Sequence, residues 1–249
     1  IRDCMTEDVQ LAQPQLSISY SSGGGAGPLG LGWSAGTPII SRQSDRGLPK
    51  YDDRATWHAE QDRFVFNGSQ ELVPICTVGA APGLACTGKL TDEVMPPWSA
   101  GYQYFRARIE GDFLRFFWSA DHLTWRVQEK SGVTLELGVP LDGTGNVGAL
   151  ERNPAKLSQI FSWSLARQYD TYGTTNPAAG NPTPRNQVVY LYRQDGGKTY
   201  LADIFDTSPL TAPTSAALDQ FAHHTHLEYE SRTDPTTTYR SGWAIAQTL

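Results

Sequence analysis

Three histidines near the carboxyl end of the chain have a spacing that metal sites use. His223, His224 and His226 spell H-H-x-H, and alternation along a strand places His224 and His226 on one side, a spacing that a metal ion could use. No third ligand lies nearby in the sequence. The polar side of an amphipathic strand explains the same pattern more simply, so we assign no metal site here.

A glycine-rich stretch near the amino end has the form of a dinucleotide-binding loop. Gly25, Gly27 and Gly30 match G-x-G-x-x-G after the strand-like sequence LSISY. Such a loop needs a helix that begins at the third glycine, because the N–H groups of that helix hold the pyrophosphate. The next residues, LGWSAGTPIISR, have no apolar stripe at helical spacing. We therefore predict a sharp backbone turn packed closely against its neighbours, with no cofactor. This structural motif consists of Gly23, Gly24, Gly25, Gly27, Pro28, Gly30, Gly32 and Trp33, and the side chains expected to be buried behind it are Leu29, Leu31 and Trp33.

Two sets of acidic residues have types suited to calcium binding or to glycoside hydrolysis. Asp45, Asp52 and Asp53 lack the ligand order, central glycine and final glutamate of a calcium loop. Glu110 and Asp112 flank one glycine in EGD, which is typical of a hairpin turn and offers no apolar pocket to raise a carboxyl pKa. The G-x-S-x-G elbow of a serine hydrolase is also absent. We therefore assign no catalytic residue, and a hydrolase is the weakest hypothesis.

Two of the three cysteines bracket a loop of small residues. Cys76 and Cys86 enclose TVGAAPGLA, and a disulfide closing so short a loop would stabilise the fold by about 3 kcal/mol or less and imply an oxidising compartment. The alternative is two free thiols that are partly buried. No basic residue lies beside either cysteine to lower its pKa, so neither is predicted to be a nucleophile.

Alternating apolar and polar residues predict strands along almost the whole chain. FLRFFWS, HLTWRVQE and VTLELG follow one another at short intervals, separated by the turn sequences SAD and KSG. The one helical candidate is TSAALDQFA at residues 214–222. The predicted fold class is all-β: an extended curved antiparallel sheet of consecutive hairpins, with at most one or two short connector helices. Its aromatic face is expected to be buried and its opposite face hydrated.

Composition excludes some function classes. The chain has 249 residues, a formal net charge of -6 and no Lys/Arg run, so we expect no nucleic-acid partner. No apolar run approaches the length that spans a bilayer, so no membrane span is predicted. The tryptophans could form a carbohydrate platform, but core packing is their commoner use.

Several segments resemble the SpvB amino-terminal domain family. PQLSISYSSGGGAGPLGLGWS, ISRQSDRGLPKYDD and DRFVFNGSQELVP are similar to the opening of that family. The hairpins of residues 104–138, WSLARQYDTYG with VVYLY, and HLEYESRTDPTTTYRSGW are similar to its later parts. The resemblance implies an atypical leader or fragment start at residues 1–13 and an SpvB-like amino-terminal β domain at residues 14–249.

The resemblance further implies a non-enzymatic structural role in a secreted, extracellular bacterial toxin. In such proteins the domain is similar to the first segment of a β-strand shell that encapsulates or carries a C-terminal toxic effector, commonly with YD-type or Rhs repeats. The expected partners are the downstream shell or repeat portion of the same protein or its cleaved product, the effector domain and a translocation component. We also expect an unpaired strand edge at residues 243–249, which the downstream portion would cover. The alternative is a host-surface or glycan-binding module that uses exposed aromatic residues.

Overall fold

The computed structural model describes most of the chain. The described residues are 12–22, 26–27, 29–54, 58, 60–77, 90–91, 95–171, 184, 186–209 and 217–249, with the backbone alone at 26–27, 76–77 and 90–91. Nearly all regular structure in these ranges is β-strand, which confirms the predicted class. The strands are β1 (Ser17–Tyr20), β2 (Ala26–Gly27), β3 (Gly30–Leu31), β4 (Trp33–Gly36), β5 (Ile39–Arg42), β6 (Phe64–Phe66), β7 (Gln70–Pro74), β8 (Cys76–Thr77), β9 (Leu90–Thr91), β10 (Gln103–Ala107), β11 (Arg115–Trp118), β12 (Thr124–Gln128), β13 (Thr134–Gly138), β14 (Leu150–Asn153), β15 (Lys156–Tyr169), β16 (Gln187–Asp195), β17 (Lys198–Asp206), β18 (His223–His226), β19 (Thr236–Thr238) and β20 (Ile245–Gln247).

Helical structure in the described ranges consists of short 3-10 turns at Pro97–Ser99 and Leu218–Gln220. The second turn falls within the helix predicted at 214–222, of which residues 214–216 lie outside the described residues. A single turn is consistent with the high cost of nucleating so short a helix. None of the helices in the described ranges has the length and apolar character that crossing a bilayer requires.

Eight antiparallel strands close into a barrel. Their hydrogen-bonded order is β13, β12, β11, β10, β7, β6, β5 and β15, and β15 pairs with β13 again to complete the ring. Four of these pairs are sequence neighbours joined by short turns, as the hairpin prediction requires, and a long loop at residues 43–63 joins the neighbours β5 and β6. The pairs β7–β10, β5–β15 and β13–β15 are not neighbours in the sequence, and the last two close the ring.

The long strand β15 joins the barrel to further strands. Its middle, Ser162 to Ser164, pairs with β5, whereas its last part, Leu165 to Tyr169, pairs with β13. Strand β14 adds to its first part, and β16 adds to its end. From there the sheet continues through β17 to β18. One strand of 14 residues can hold all these partners because its two ends lie next to different strands.

The barrel lumen is filled by side chains from all eight ring strands, which form one contact cluster. Four aromatic rings lie at its centre: Trp118 stacks on Trp125 with centroids 5.3 Å apart, and Phe64 contacts both of these as well as Trp163. A barrel of this strand number is just wide enough to be filled by its own side chains. The lumen is therefore a packed core rather than a channel. Its inward side chains are Ile40, Phe64, Phe66, Leu72, Phe105, Phe116, Trp118, Trp125, Val127, Leu135, Leu137, Trp163 and Leu165.

The carboxyl-terminal segment is paired, so the predicted open edge at residues 243–249 is wrong. Strand β20 pairs with β19, and the Ala246 N–H donates a hydrogen bond to the Gly196 carbonyl oxygen. The Arg232 N–H donates to the carbonyl oxygen of Thr248. The last strand of the large sheet is instead β18. Local alternation identified the terminal strand but could not show that the chain turns back onto itself.

Candidate functional site

A separate hairpin carries the most exposed apolar side chains near the amino end. Strands β1 and β4 pair with each other and with no strand of the large sheet, and β2 and β3 form a second small pair. Tyr20 lies opposite Trp33, with ring centroids 5.1 Å apart. Ile18 is 63% exposed, Tyr20 60%, Leu31 74% and Trp33 44%. Exposed apolar groupings are common at interaction surfaces, so this hairpin is a candidate for one.

The expectation that Leu31 and Trp33 are buried is therefore wrong, while Leu29 is half-buried. Burial of this face would require a second layer of structure, and the described residues place none over it. The sequence pattern correctly indicated an amphipathic strand pair, but it could not show whether the apolar face meets a layer of the same chain. We call the face formed by Ile18, Tyr20 and Trp33 the hairpin face.

The glycines of the predicted motif allow the backbone to adopt the conformation of this hairpin. Gly30 has a φ of +110° and Gly32 a φ of +77°, values that L side chains rarely adopt. A Cβ on Gly32 would also lie 2.7 Å from the carbonyl oxygen of Ser21 and 2.7 Å from Cε2 of Tyr20. Gly27 lies in β2 opposite Gly30. Gly23, Gly24, Gly25 and Pro28 lie outside the described residues.

A buried carboxylate on β13 lies between two arginines of neighbouring strands. The Glu136 Oε2 is 3.0 Å from Nε of Arg167, and its Oε1 is 3.4 Å from Nε of Arg126. The Tyr169 hydroxyl and the Leu141 N–H also donate hydrogen bonds to this carboxylate. Burial alone would raise the pKa of Glu136, but the two arginines outweigh it and hold the pKa below its usual 4.5. The group stays ionised and enclosed, which suits a structural link and not a general acid.

This network corrects the expectation of a fully hydrated outer face. Glu136, Arg126 and Arg167 alternate with lumen residues, and yet all three are buried. The guanidinium of Arg126 lies 4.4 Å from the ring centre of Trp98, which is part of the first 3-10 turn. Aromatic residues on the same outer side, such as Phe117, were the signal in the sequence that another layer covers this face.

A second buried ion network lies next to the aromatic cluster. Arg42, the last residue of β5, pairs with Asp53 at 2.6 Å and with Asp62 at 2.8 Å. Its guanidinium also lies 5.5 Å from the ring centre of Trp163 and 4.7 Å from that of Tyr51. These contacts hold Tyr51, Asp53 and Asp62, which lie in the loop between β5 and β6, against the core.

The acidic residues considered for calcium or catalysis do not converge. Asp53 pairs with Arg42, Asp52 pairs with Arg54 at 2.8 Å, and Asp45 is exposed near Arg46. Glu110 pairs with Arg106 at 2.6 Å, and Asp112 is exposed in the turn between β10 and β11. Each of these carboxylates with a described ion pair contacts a different arginine.

The structure tests the prediction about the tryptophans but not the prediction about the cysteines. Trp118, Trp125 and Trp163 are fully buried, which confirms core packing, and Trp98 is half-buried. The proposed disulfide partner Cys86 and the side chain of Cys76 lie outside the described residues, so the disulfide stays a prediction.

The open surface of the barrel has a shallow depression of about 370 Å³. Its lining mixes charged and aromatic side chains without a buried acid or an ionised pair aimed into it, among the residues that the structure describes. It therefore offers no constellation for proton transfer. The lining residues are Arg106, Phe113, Arg115, Gln128, Glu129 and Lys130.

The histidines of β18 have a partner that the sequence did not reveal. His224 Nε2 lies 2.8 Å from Oδ1 of Asp203 on β17, and His226 Nδ1 lies 2.6 Å from the same oxygen. His223 points to the other side and contacts Asp206. Strand pairing brings Asp203 opposite His226, so a residue about 20 positions away supplies the third side chain.

Comparison with known proteins identifies the family of this barrel. Residues 5–200 match the family described as Salmonella virulence plasmid 65kDa B protein, SpvB. The chain belongs to the SpvB family. This confirms the resemblance found in the sequence motifs.

The SpvB-family chain covers only part of the relatives that it matches. It is 33% identical over 253 aligned positions to the mono(ADP-ribosyl)transferase SpvB of Salmonella typhimurium strain 14028s / SGSC 2262. The alignment covers 94% of this chain and 40% of that protein, so the chain spans about two fifths of the relative's length.

Solved structures with the same fold include two kinds of protein. The N-terminal domain of effector protein SpvB from Salmonella typhimurium strain LT2 has a TM-score of 0.62 and 21% identity, covering 94% of this SpvB-family chain and 79% of that one. TcdB2-TccC3 without its hypervariable C-terminal region has a TM-score of 0.66 and 18% identity, covering 94% of this chain and 12% of that one. At these identities the likeness shows the shared fold.

Proposed function

We propose that this chain is a non-enzymatic structural segment of a secreted bacterial toxin, forming part of a β-strand shell that encapsulates or carries a C-terminal toxic effector. The observation that carries the proposal is the distribution of side chains. Most of the described buried charged side chains are held in ion pairs that link strands or hold a loop against the core, while apolar side chains are exposed on the hairpin face. Such a distribution is expected of a shell segment that packs against further protein.

The relatives support the same assignment. The chain matches a segment that makes up 40% of a named Salmonella mono(ADP-ribosyl)transferase and 12% of the TcdB2-TccC3 chain, so its fold occurs as one part of larger toxins. The proposed partner of the hairpin face is the downstream shell or repeat portion of the same protein or its cleaved product. The effector domain and a translocation component would then be held by the completed shell.

The first test measures protection of the hairpin face. Amide hydrogen exchange is compared between this chain alone and the complete natural protein that contains it. We expect exchange at residues 17–20 and 33–36 to slow at least about tenfold in the complete protein, because docking removes the opening of the small hairpin. The variant Y20S/W33S should lose this protection, while Y239S, which alters an exposed aromatic residue elsewhere, should keep it.

Equal exchange of the hairpin in the two proteins would contradict docking to the downstream portion. An equal effect of Y239S would show that the hairpin face has no special role. The non-enzymatic assignment has its own readout, in which the chain is incubated with labelled NAD+ and host-cell lysate. Transfer of label above a heat-treated control would overturn it.

A host-surface or glycan-binding module is the second candidate, and the exposed Tyr20–Trp33 pair favours it, because aromatic rings can stack on sugar faces. The two functions differ in what the chain does alone. Saturable binding of the isolated chain to glycans or cells, lost in Y20S/W33S and kept in Y239S, would support the module. Its absence, together with protection of the hairpin in the complete protein, supports the shell.

A further inference from the structure

Asp203, His224 and His226 form a compact group on the last strand pair of the large sheet. Strand alternation places both imidazoles on one side of β18, and antiparallel pairing with β17 places the carboxylate beside them. Their nearest ligand atoms all lie within 4.8 Å of one another. The sequence argued against a metal because no third ligand was near in the chain, and the fold now supplies one.

We propose that these three residues bind a divalent transition-metal ion of the Zn²⁺ class. Two imidazoles and one carboxylate are a ligand set that zinc accepts, whereas Ca²⁺ and Mg²⁺ prefer sites made of oxygen atoms. With Zn–N bonds of about 2.0–2.1 Å, tetrahedral ligand atoms lie about 3.3 Å apart. The two contacts to Asp203, at 2.8 and 2.6 Å, therefore need to open only slightly as the metal replaces the shared protons.

The surroundings favour such a site. The His224 ring stacks on Phe205, with centroids 4.3 Å apart and planes within 5°, which limits its rotation. Both histidines are about half exposed, so an ion can enter and a fourth position faces solvent or a docking partner. The bound ion would join β18 to β17 by bonds between side chains and so reinforce the outermost strand of the sheet.

The experiment titrates the tag-free protein with ZnCl₂ by calorimetry and follows Co²⁺ by visible absorption. We expect one site per chain that depends on these three residues, with affinity at that site reduced at least about tenfold in each of H224A, H226A and D203N. H223A is the matched control, because His223 belongs to the same strand but faces the other side. The affinity of H223A for zinc should equal that of the wild type. Zinc should also raise the melting temperature of the wild type more than that of H224A.

Circular dichroism of each variant checks that folding is retained, which the exposure of these side chains leads us to expect. Cysteine thiolates also bind zinc, so the decisive quantity is the difference between the wild type and H224A. The proposal is overturned if H223A weakens binding as much as H224A does, if D203N leaves the affinity unchanged, or if the wild type binds no more zinc than H224A. None of these outcomes bears on the shell function.

Discussion

Buried charged residues in this protein act as links between strands. Glu136 joins β12, β13 and β15 through Arg126 and Arg167, and Arg42 holds two loop aspartates against the core. Ions buried in this way are costly to dehydrate, and they persist because each has a close partner of opposite charge. Removing one partner is therefore far more harmful than removing an ion pair at the surface.

At the residue scale, we predict that E136Q lowers the free energy of unfolding by about 3–5 kcal/mol, because Arg126 and Arg167 would stay buried without their counter-charge. Urea unfolding followed by circular dichroism measures it. E60Q is the control, since Glu60 pairs with Lys50 at the exposed surface, and it should behave as the wild type.

The pH dependence of the free energy of unfolding, compared between the wild type and E136Q, gives a result that could contradict this prediction. Because the folded-state pKa of Glu136 is held below its usual 4.5, its contribution to stability is complete above that pH and is lost as the pH falls through the folded value. The wild type should thus lose more stability than E136Q between about pH 5 and pH 3. Equal losses would show that the buried carboxylate does not stabilise the fold.

The elements of the molecule differ in how strongly they are held. Ring strands have partners on both sides, whereas β1 and β4 pair only with each other among the strands that the structure describes. An isolated two-stranded ribbon is marginally stable. The hairpin depends on the backbone freedom of its glycines for its shape. Its stability can therefore change without a change in the barrel.

At the element scale, we predict that G32A opens the hairpin selectively. A side chain at this positive φ costs about 1–2 kcal/mol, and its Cβ would also collide with the backbone of Ser21. Amide exchange at residues 17–20 and 33–36 should accelerate, while the melting temperature of the barrel stays the same. G68A is the control, because Gly68 has a similar φ of +73° while its added Cβ meets no atom within 4 Å, so exchange at these hairpin residues should stay as in the wild type. An equal effect of the two variants would contradict the steric explanation.

The whole molecule is organised around one closed barrel and its packed lumen. Residues from all eight ring strands meet in a single cluster, so loss of one central ring affects every strand. The hairpin face and the β18 edge lie outside this ring. The core that stabilises the fold and the surfaces proposed for binding therefore lie in different parts of the chain.

At the scale of the whole molecule, we predict that W118A lowers the free energy of unfolding by about 3–5 kcal/mol in one cooperative transition. The large indole is fully buried between the other aromatic rings, and its removal leaves a cavity. W33A removes the same side chain from the exposed hairpin face and should change stability by less than about 0.5 kcal/mol. Similar losses in the two variants, measured by urea unfolding, would contradict the distinction between core and surface.

The sequence by itself determined the strands, the all-β class and the family. Strand positions such as those of β10 to β13 could be predicted because alternation and turn residues act locally, within a few neighbours. The family followed from motifs that run along the chain, including the glycine-rich hairpin. The same local signals explain why Trp118 and Trp125 could be expected in the core.

The tertiary structure alone decided what depends on distant pairing. Closure of β15 on β13, the pairing of β20, the burial of Glu136 and the exposure of Trp33 all depend on which element covers which face. Asp203 joins the histidines for the same reason, since β17 and β18 meet across a long connection. Alternation shows that a strand has an apolar and a polar side, but the free energy of packing distant strands decides what lies against each side.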